Sequence, residues 1–104
     1  MSKGKKDDGK KHARHADARF LGRVYVSLKP TVNDPEGITI GSALGSLGFG
    51  GVEGVRAGRY FQITLQAADR KAAKGQVDQM CARLLANPVI ETYSFEIDEI
   101  SPEG

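Results

Sequence analysis

The sequence has few of the residues on which common enzyme mechanisms depend. It contains no tryptophan, one cysteine (Cys81) and two histidines, His12 and His15, both near the amino terminus. A single cysteine excludes an intrachain disulfide and fits a reducing compartment, so a cytoplasmic location is expected. The rest of the chain has no histidine to serve as a general base or metal ligand. No catalytic, cofactor-binding or metal-binding residue is therefore predicted.

Long apolar runs are also missing. No stretch approaches the ~20 apolar residues of a membrane span, and residues 1–19 lack the apolar core of a secretory signal. Residues 1–19 contain seven basic and three acidic side chains, whereas the rest of the chain contains eight basic and ten acidic ones. With so few aliphatic side chains, the first segment cannot bury enough surface to fold. A disordered basic tail (1–19) followed by one domain (20–104) is therefore predicted.

Apolar and polar residues alternate in three segments of the domain: at 20–29, at 60–66 within a longer extended segment 52–66, and at 92–98. This period of two predicts half-buried strands. Gly54 and Gly58 interrupt the middle segment, which is interpreted either as one kinked strand or as two strands joined tightly at Ala57-Gly58.

Two helices are predicted between these segments. Residues 33–37 fit either a type I turn or a helix start, and the helix start is favoured, with Asp34 as N-cap and Pro35 at the first helical position. Gly48 stops this first helix. Asp69 caps the second helix. Helical spacing gives each helix an apolar stripe: Ile40, Ala43, Leu44 and Leu47 in the first, and Ala73, Val77, Met80, Cys81, Leu84 and Leu85 in the second.

The resulting element order, β-α-β(-β)-α-β, is typical of α+β proteins. It predicts a two-layer sandwich with two helices on one face of a mainly antiparallel three- or four-stranded sheet. The ferredoxin-like arrangement is the leading topology. Because Cys81 falls on the apolar stripe of the second helix, it is expected to be an inert core residue.

The junction between the second helix and the last strand occupies residues 84–91. Asn87 suits the left-handed conformation that ends many helices, and Pro88 forbids a further helical turn. Val89 and Ile90 are then expected to restart the chain as a strand.

Five polar or aromatic residues are candidates for contact with a partner protein. Arg56 and Arg59 flank Gly58, and arginine suits bidentate recognition of carboxylate or phosphate. The alternative interpretation is that Arg56 and Arg59 are simply two exposed arginines on a strand. Asn87 and Glu91 are candidates for holding the helix–strand junction or meeting a partner. The full set of partner-contact candidates is Arg56, Arg59, Tyr60, Asn87 and Glu91.

Several short motifs follow one another in a specific order and spacing over roughly residues 20 to 98. The motifs are 24–30, 34–37, 43–44, 47–49, 55–61, Cys81, 84–91 and Tyr93. Together they resemble those of PurS, the small subunit of phosphoribosylformylglycinamidine (FGAM) synthase. Asn33 and Arg59 depart modestly from the usual pattern, and the basic tail has no counterpart in the family.

The resemblance implies a non-catalytic subunit in purine biosynthesis. The synthase uses ATP and glutamine to turn formylglycinamide ribonucleotide (FGAR) into FGAM, with ATP and magnesium on the large subunit PurL and the glutaminase cysteine on PurQ. PurS-like subunits form a homodimer, or a higher oligomer, that joins PurL to PurQ and supports ammonia transfer. No cofactor, membrane or nucleic acid is expected for this chain.

Two functions of other classes remain as alternatives. Ferredoxin-like domains serve as small-molecule regulatory modules, and a fold alone does not choose between functions. An RNA-binding module would use the basic tail and Tyr60, although the domain without its tail is net acidic.

Overall fold

The computed structural model describes residues 17–100, and their three strands and two helices confirm the predicted α+β class. The predicted tail lies almost wholly outside the described residues. The elements are β1 (Ala18–Leu28), α1 (Pro35–Ser46), β2 (Gly58–Ala67), α2 (Arg70–Met80), a π-helical turn (Cys81–Leu85) that continues α2, and β3 (Glu91–Ile100).

The three strands form one antiparallel sheet with β1 in the centre, in the order β2-β1-β3. Val24 of β1 lies opposite Phe61 of β2 and opposite Phe95 of β3. Both outer strands run antiparallel to β1, so α2 has to cross over β1 to connect them. Residues 52–57 form no regular strand. The middle extended segment therefore contains a single strand, which begins at Gly58.

The core lies between the sheet and α2. Asp69 caps α2 as predicted, because its Oδ1 accepts a hydrogen bond of 2.8 Å from the Ala72 N–H. The buried apolar residues come from β1, α2 and the strand ends: Phe20, Val24, Val26, Ala67, Ala73, Val77, Cys81, Ala86 and Ile97. The complete burial of Cys81 confirms its prediction as a core residue.

The predicted apolar stripe of α2 is wrong at one residue, Leu84. Leu84 is 81% exposed, although it follows Cys81 at helical spacing. The Ala86 N–H bonds to the Cys81 carbonyl at 3.1 Å, five residues back, so the last turn is wider than an α-helical turn. The wider turn rotates Leu84 away from the sheet, while Leu85 stays half-buried.

The prediction of a left-handed Asn87 was also wrong. None of the described residues other than glycine has a positive φ. The π-helical turn ends in an extended Ala86, so no left-handed residue is needed to terminate the helix. Asn87 instead starts a turn, in which its Oδ1 accepts the Val89 N–H at 3.0 Å. As a result Val89 and Ile90 lie in that turn, and β3 begins only at Glu91.

Helix α1 begins and ends as predicted but buries little of its surface. Asp34 caps it, Pro35 is its first residue, and Gly48 beyond its end has a φ of +100°. Gly37 is its only buried residue. The substantial packing contacts of the sheet are with α2 and not with α1. Ile38 is 61% exposed and Leu47, just beyond the helix, is 73% exposed.

Residues 35–57, named the arm here, consist of α1 and the chain that returns from it towards β2. Gly37 and Gly41 of α1 face Val55 of the returning chain. A Cβ atom added at Gly37 would overlap the Val55 carbonyl oxygen, so only glycine allows this approach. Gly37 therefore lets the two halves of the arm pack together.

Candidate functional site

Four of the five candidate residues lie near one end of the sheet, where β1 finishes and β2 and β3 start. In the strand register Arg59 lies opposite Val26, and Glu91 lies opposite Leu28. Val26 and Leu28 are two residues apart, so Arg59 and Glu91 point to the same face of the sheet, the face that α2 covers. The fold thus brings together residues that are 32 positions apart in sequence.

Arg59, Asn87 and Glu91 form one hydrogen-bonded set, named the Glu91 network here. The Arg59 Nη2 donates to both carboxylate oxygens of Glu91, at 2.8 and 2.9 Å, and to the Leu85 carbonyl at 3.2 Å. The Asn87 N–H donates to Glu91 Oε1 at 2.7 Å. The Asn87 amide and then Arg59 lower the pKa of Glu91, because both favour the charged carboxylate. This network ties β2 to the π-helical turn and to β3.

Arg56 belongs to a second cluster at the base of the arm. Its guanidinium donates to the Lys29 carbonyl at 2.9 Å and to the Val32 carbonyl at 3.2 Å. Its Nε lies 3.9 Å from Asp34 Oδ2. Arg56 therefore links the loop that follows β1 to the segment that leads into β2.

Asp34 is the centre of this second cluster, named the Asp34 clamp here. One carboxylate oxygen accepts the Gly37 N–H at 2.9 Å, and the other accepts the Ala57 N–H at 2.8 Å. The side chain is almost completely buried. These two amides lower the pKa of Asp34, with a smaller contribution from Arg56. Asp34 thus fixes both ends of the arm to the same point of the sheet.

The sequence identified Asp34 only as a helix cap and gave it no place in the site. The Asp-Pro pair followed by Gly37 was enough to predict the cap. The second bond, from Ala57, joins residues 23 positions apart, and no local pattern reports such a contact.

Tyr60 lies apart from the other four candidates, on the face of the sheet opposite α2. Its ring stacks on Tyr25, with centroids 5.2 Å apart, and its hydroxyl accepts a bond of 3.1 Å from Gln62. Tyr60 is 50% exposed and Tyr25 is 42% exposed. On the same face Arg23 pairs with Glu96 and Asp98, at 3.1 and 2.7 Å. This face combines an exposed aromatic pair with side chains that can hydrogen-bond, as protein interfaces often do.

Few groups in residues 17–100 are equipped for chemistry. This stretch contains no histidine, and it holds no group of three or more metal-ligating side chains. Burial raises the pKa of the Cys81 thiol, which keeps it in the unreactive form. A cavity of about 310 Å³ beside Cys81 is lined by Pro88, Glu91 and Tyr93, among others. Its one carboxylate, Glu91, is already bonded to Arg59.

Comparison with known proteins agrees with this description. The family model of PurS, described as phosphoribosylformylglycinamidine (FGAM) synthase, matches residues 22–99. The chain belongs to the PurS family. It is 52% identical over 75 residues to the phosphoribosylformylglycinamidine synthase subunit PurS of Synechocystis, a match that covers 72% of this chain and 75% of that protein.

Solved structures of PurS have the same fold. The chain superposes on PurS of Thermus thermophilus with a TM-score of 0.74 and 34% identity, covering 80% of this chain and 99% of that one. It superposes on a chain of the PurLQS structure from Thermotoga maritima with a TM-score of 0.69 and 30% identity, covering 79% and 98%. Membership of the PurS family and the α+β fold are therefore both confirmed. Among residues 17–100, no helix has the length and hydropathy needed to cross a membrane.

Proposed function

We propose that this chain is the non-catalytic PurS subunit of an FGAM synthase and that it joins a PurL-like synthetase to a PurQ-like glutaminase. The observation that carries the proposal is the PurS match across residues 22–99, together with the similarity to a chain of a PurLQS structure. The complex would convert FGAR, ATP and glutamine into FGAM in the cytoplasm. This chain would contribute to the passage of ammonia between the two partners by fixing their relative position.

The chemistry of the complex then belongs to its partners. ATP and magnesium would bind to the large PurL-like subunit, and glutamine would be hydrolysed by the PurQ-like subunit. The buried Cys81 thiol and the lack of histidine in residues 17–100 support this division, because neither a reactive nucleophile nor its usual base is present there.

The proposed subunit acts as a homodimer. Support comes from the exposed apolar surface of the arm and from the free backbone edges of β2 and β3 in residues 17–100. Strand edges and apolar helix faces of this kind are normally covered in a stable protein. A small domain also gains stability by burying them against another chain.

The five candidate residues divide into two roles under this proposal. Tyr60 touches a partner directly, because half of it is exposed on a face that no helix covers. Arg59, Asn87 and Glu91 position the turn at 87–90, whose exposed Val89 is presented to a partner. Arg56 positions the arm through the loop after β1.

Reconstitution with purified PurL-like and PurQ-like subunits tests the proposal. We expect glutamine-dependent FGAM formation to require this chain, whereas formation from added ammonia should need only the PurL-like subunit. The Tyr60→Ala variant should reduce the glutamine-dependent rate, and Gln66→Ala, on the same face at the other end of β2, is the matched control. Equal glutamine-dependent rates with and without the chain would refute the proposal.

A further inference from the structure

Within residues 17–100, helix α1 makes no substantial contact with the sheet, and one flank of the sheet is only partly covered. Ile40, on the predicted apolar stripe of α1, is 39% exposed, and Leu47 and Phe49 beyond it are 73% and 56% exposed. On the side of the sheet that α2 occupies, β1 is buried, but Phe61, Ile63 and Leu65 of β2 remain half-buried. A two-layer sandwich of this kind has room for a second helix beside α2.

The arm cannot easily supply that helix to its own sheet. The Asp34 clamp holds both ends of the arm at the end of the sheet, through bonds of 2.9 Å to Gly37 and 2.8 Å to Ala57. The returning chain also packs on α1 at Gly37 and Gly41. Laying α1 on its own β2 would require the buried Asp34 carboxylate to lose these partners, which is costly for a buried charge.

The charges of the two elements fit each other. The arm contains two acidic side chains, Glu36 and Glu53, and one basic one, Arg56, whose guanidinium is bonded to the Lys29 and Val32 carbonyls at the base of the arm. The helix formed by α2 and its π-helical turn contains four basic side chains and one acidic one, in the order Arg70, Lys71, Lys74, Asp78 and Arg83. An acidic arm that lies beside the basic α2 of another copy would therefore be attracted to it, and a like-charged helix would be repelled.

We propose that the arm of each copy docks on the sheet of a second copy, with α1 lying beside the partner's α2 over Phe61, Ile63 and Leu65. Each copy has one helix that is not packed on its sheet and one sheet flank that is only partly covered. A two-fold symmetric dimer would therefore cover both flanks with the same contact. This inference rests on the homodimer that is part of the proposed function, and it names the surfaces that form it. The Asp34 clamp is then a positioning device that aims the arm outward.

Cross-linking between two differently tagged chains tests the exchange. One chain has Ile40→Cys on the arm and the other has Ile63→Cys on the sheet, and they are mixed and treated with a short bis-maleimide. We expect covalent dimers that contain both tags, and few dimers that contain one tag twice. Cys81 is buried in both chains, so wild type treated with the same reagent is the control for background reaction.

The results separate failure of the exchange from failure of the dimer. An adduct formed within a chain that has both cysteines, or dimers formed mainly between two arm cysteines, would overturn the exchange. A dimer by analytical ultracentrifugation without any arm-to-sheet cross-link would overturn it while leaving the homodimer intact. A monomer at all concentrations would refute the homodimer itself, and the exchange with it.

A pair of charge variants provides an independent measurement. Ile40→Asp places a charge on the apolar stripe of α1, whereas Thr39→Asp places the same charge on the same helix, off the stripe. We expect Ile40→Asp to raise the dimer dissociation constant by about a hundredfold or more, because an unpaired charge would be buried at the interface. Thr39→Asp should change it by less than about threefold, and circular dichroism should show both variants folded. Equal effects of the two substitutions would overturn the exchange.

Discussion

The position of α2 over the sheet can be tested by a pair of substitutions at Gly22 and Val77. Val77 is fully buried, and a Cβ atom added at Gly22 would lie 3.1 Å from its Cγ2. That distance is too short for a relaxed contact, so alanine at position 22 is strained while Val77 is present. Shortening Val77 to alanine removes the obstructing methyl group. The two substitutions should therefore compensate each other.

The expected energies follow from the atoms removed and added. Val77→Ala deletes two buried methyl groups, whose transfer from water contributes about 0.8 kcal/mol each, and it leaves a cavity. The free energy of unfolding should therefore fall by about 2–3 kcal/mol. Gly22→Ala alone should lower the free energy of unfolding by up to about 1 kcal/mol. The strain against Val77 destabilises the folded state, whereas alanine restricts the unfolded chain and so offsets part of that loss. In the Val77→Ala background the new methyl group enters the cavity and should recover about 1 kcal/mol. The coupling energy should therefore be about 1 to 2 kcal/mol.

Urea unfolding, followed by far-ultraviolet circular dichroism at one fixed protein concentration, measures these energies. Gly75→Ala is the matched control, because it lies on α2 with no other group within 4 Å of an added Cβ. Gly75→Ala should raise the free energy of unfolding equally with valine and with alanine at position 77, by about 0.5–1 kcal/mol. If Gly22→Ala costs the same with valine and with alanine at position 77, then α2 does not cross the sheet at Gly22. The interpretation of β2 as having an uncovered flank beside α2 would then be wrong as well.

Three further predictions concern single side chains. Cys81→Ala should retain glutamine-dependent activity and lose roughly 1–2 kcal/mol of stability, and a loss of activity without a loss of stability would contradict the core assignment. The pKa of Asp34 is lowered from its ordinary 3.8, so its stabilising contribution is present above that pH and is lost as pH falls through the folded pKa. Urea midpoints of Asp34→Asn between pH 7 and 2.5 should consequently fall less steeply than those of wild type below about pH 4. Combined Arg56→Ala and Arg59→Ala substitutions should weaken assembly with the PurL-like and PurQ-like subunits more than folding, and unchanged sedimentation of the complex would refute this.

Local patterns predicted the elements whose determinants are adjacent in sequence. The Asp34-Pro35 and Asp69 starts are correct because a capping side chain bonds to amides only three residues away. The alternation of Phe61, Ile63 and Leu65 gives the buried side of β2 correctly, since a strand places every second side chain on one face.

The errors fall where backbone geometry departs from the regular period. Leu84 is placed by a π-helical turn, and no residue type marks such a turn in a single sequence. Asn87 has two competing local solutions, a left-handed cap and a side-chain turn, and the wide last turn favours the second. In sequence the candidate residues fall into two groups, at 56–60 and at 87–91. The bond of 2.8 Å between Arg59 and Glu91 depends on strand pairing, which only the fold supplies.

The proposed function gives a physical reason for the two well-fixed polar clusters of this chain. The Glu91 network and the Asp34 clamp each hold an exposed apolar segment at a defined angle: the turn at Val89 in one case and the arm in the other. Apolar segments lose less entropy on binding when they are already ordered in the free protein. Under the proposed function the chain joins two enzymes, and it has to keep the separation of their sites constant while ammonia passes between them. The carboxylates of Asp34 and Glu91 would then stabilise the geometry on which the reaction in the partner subunits depends.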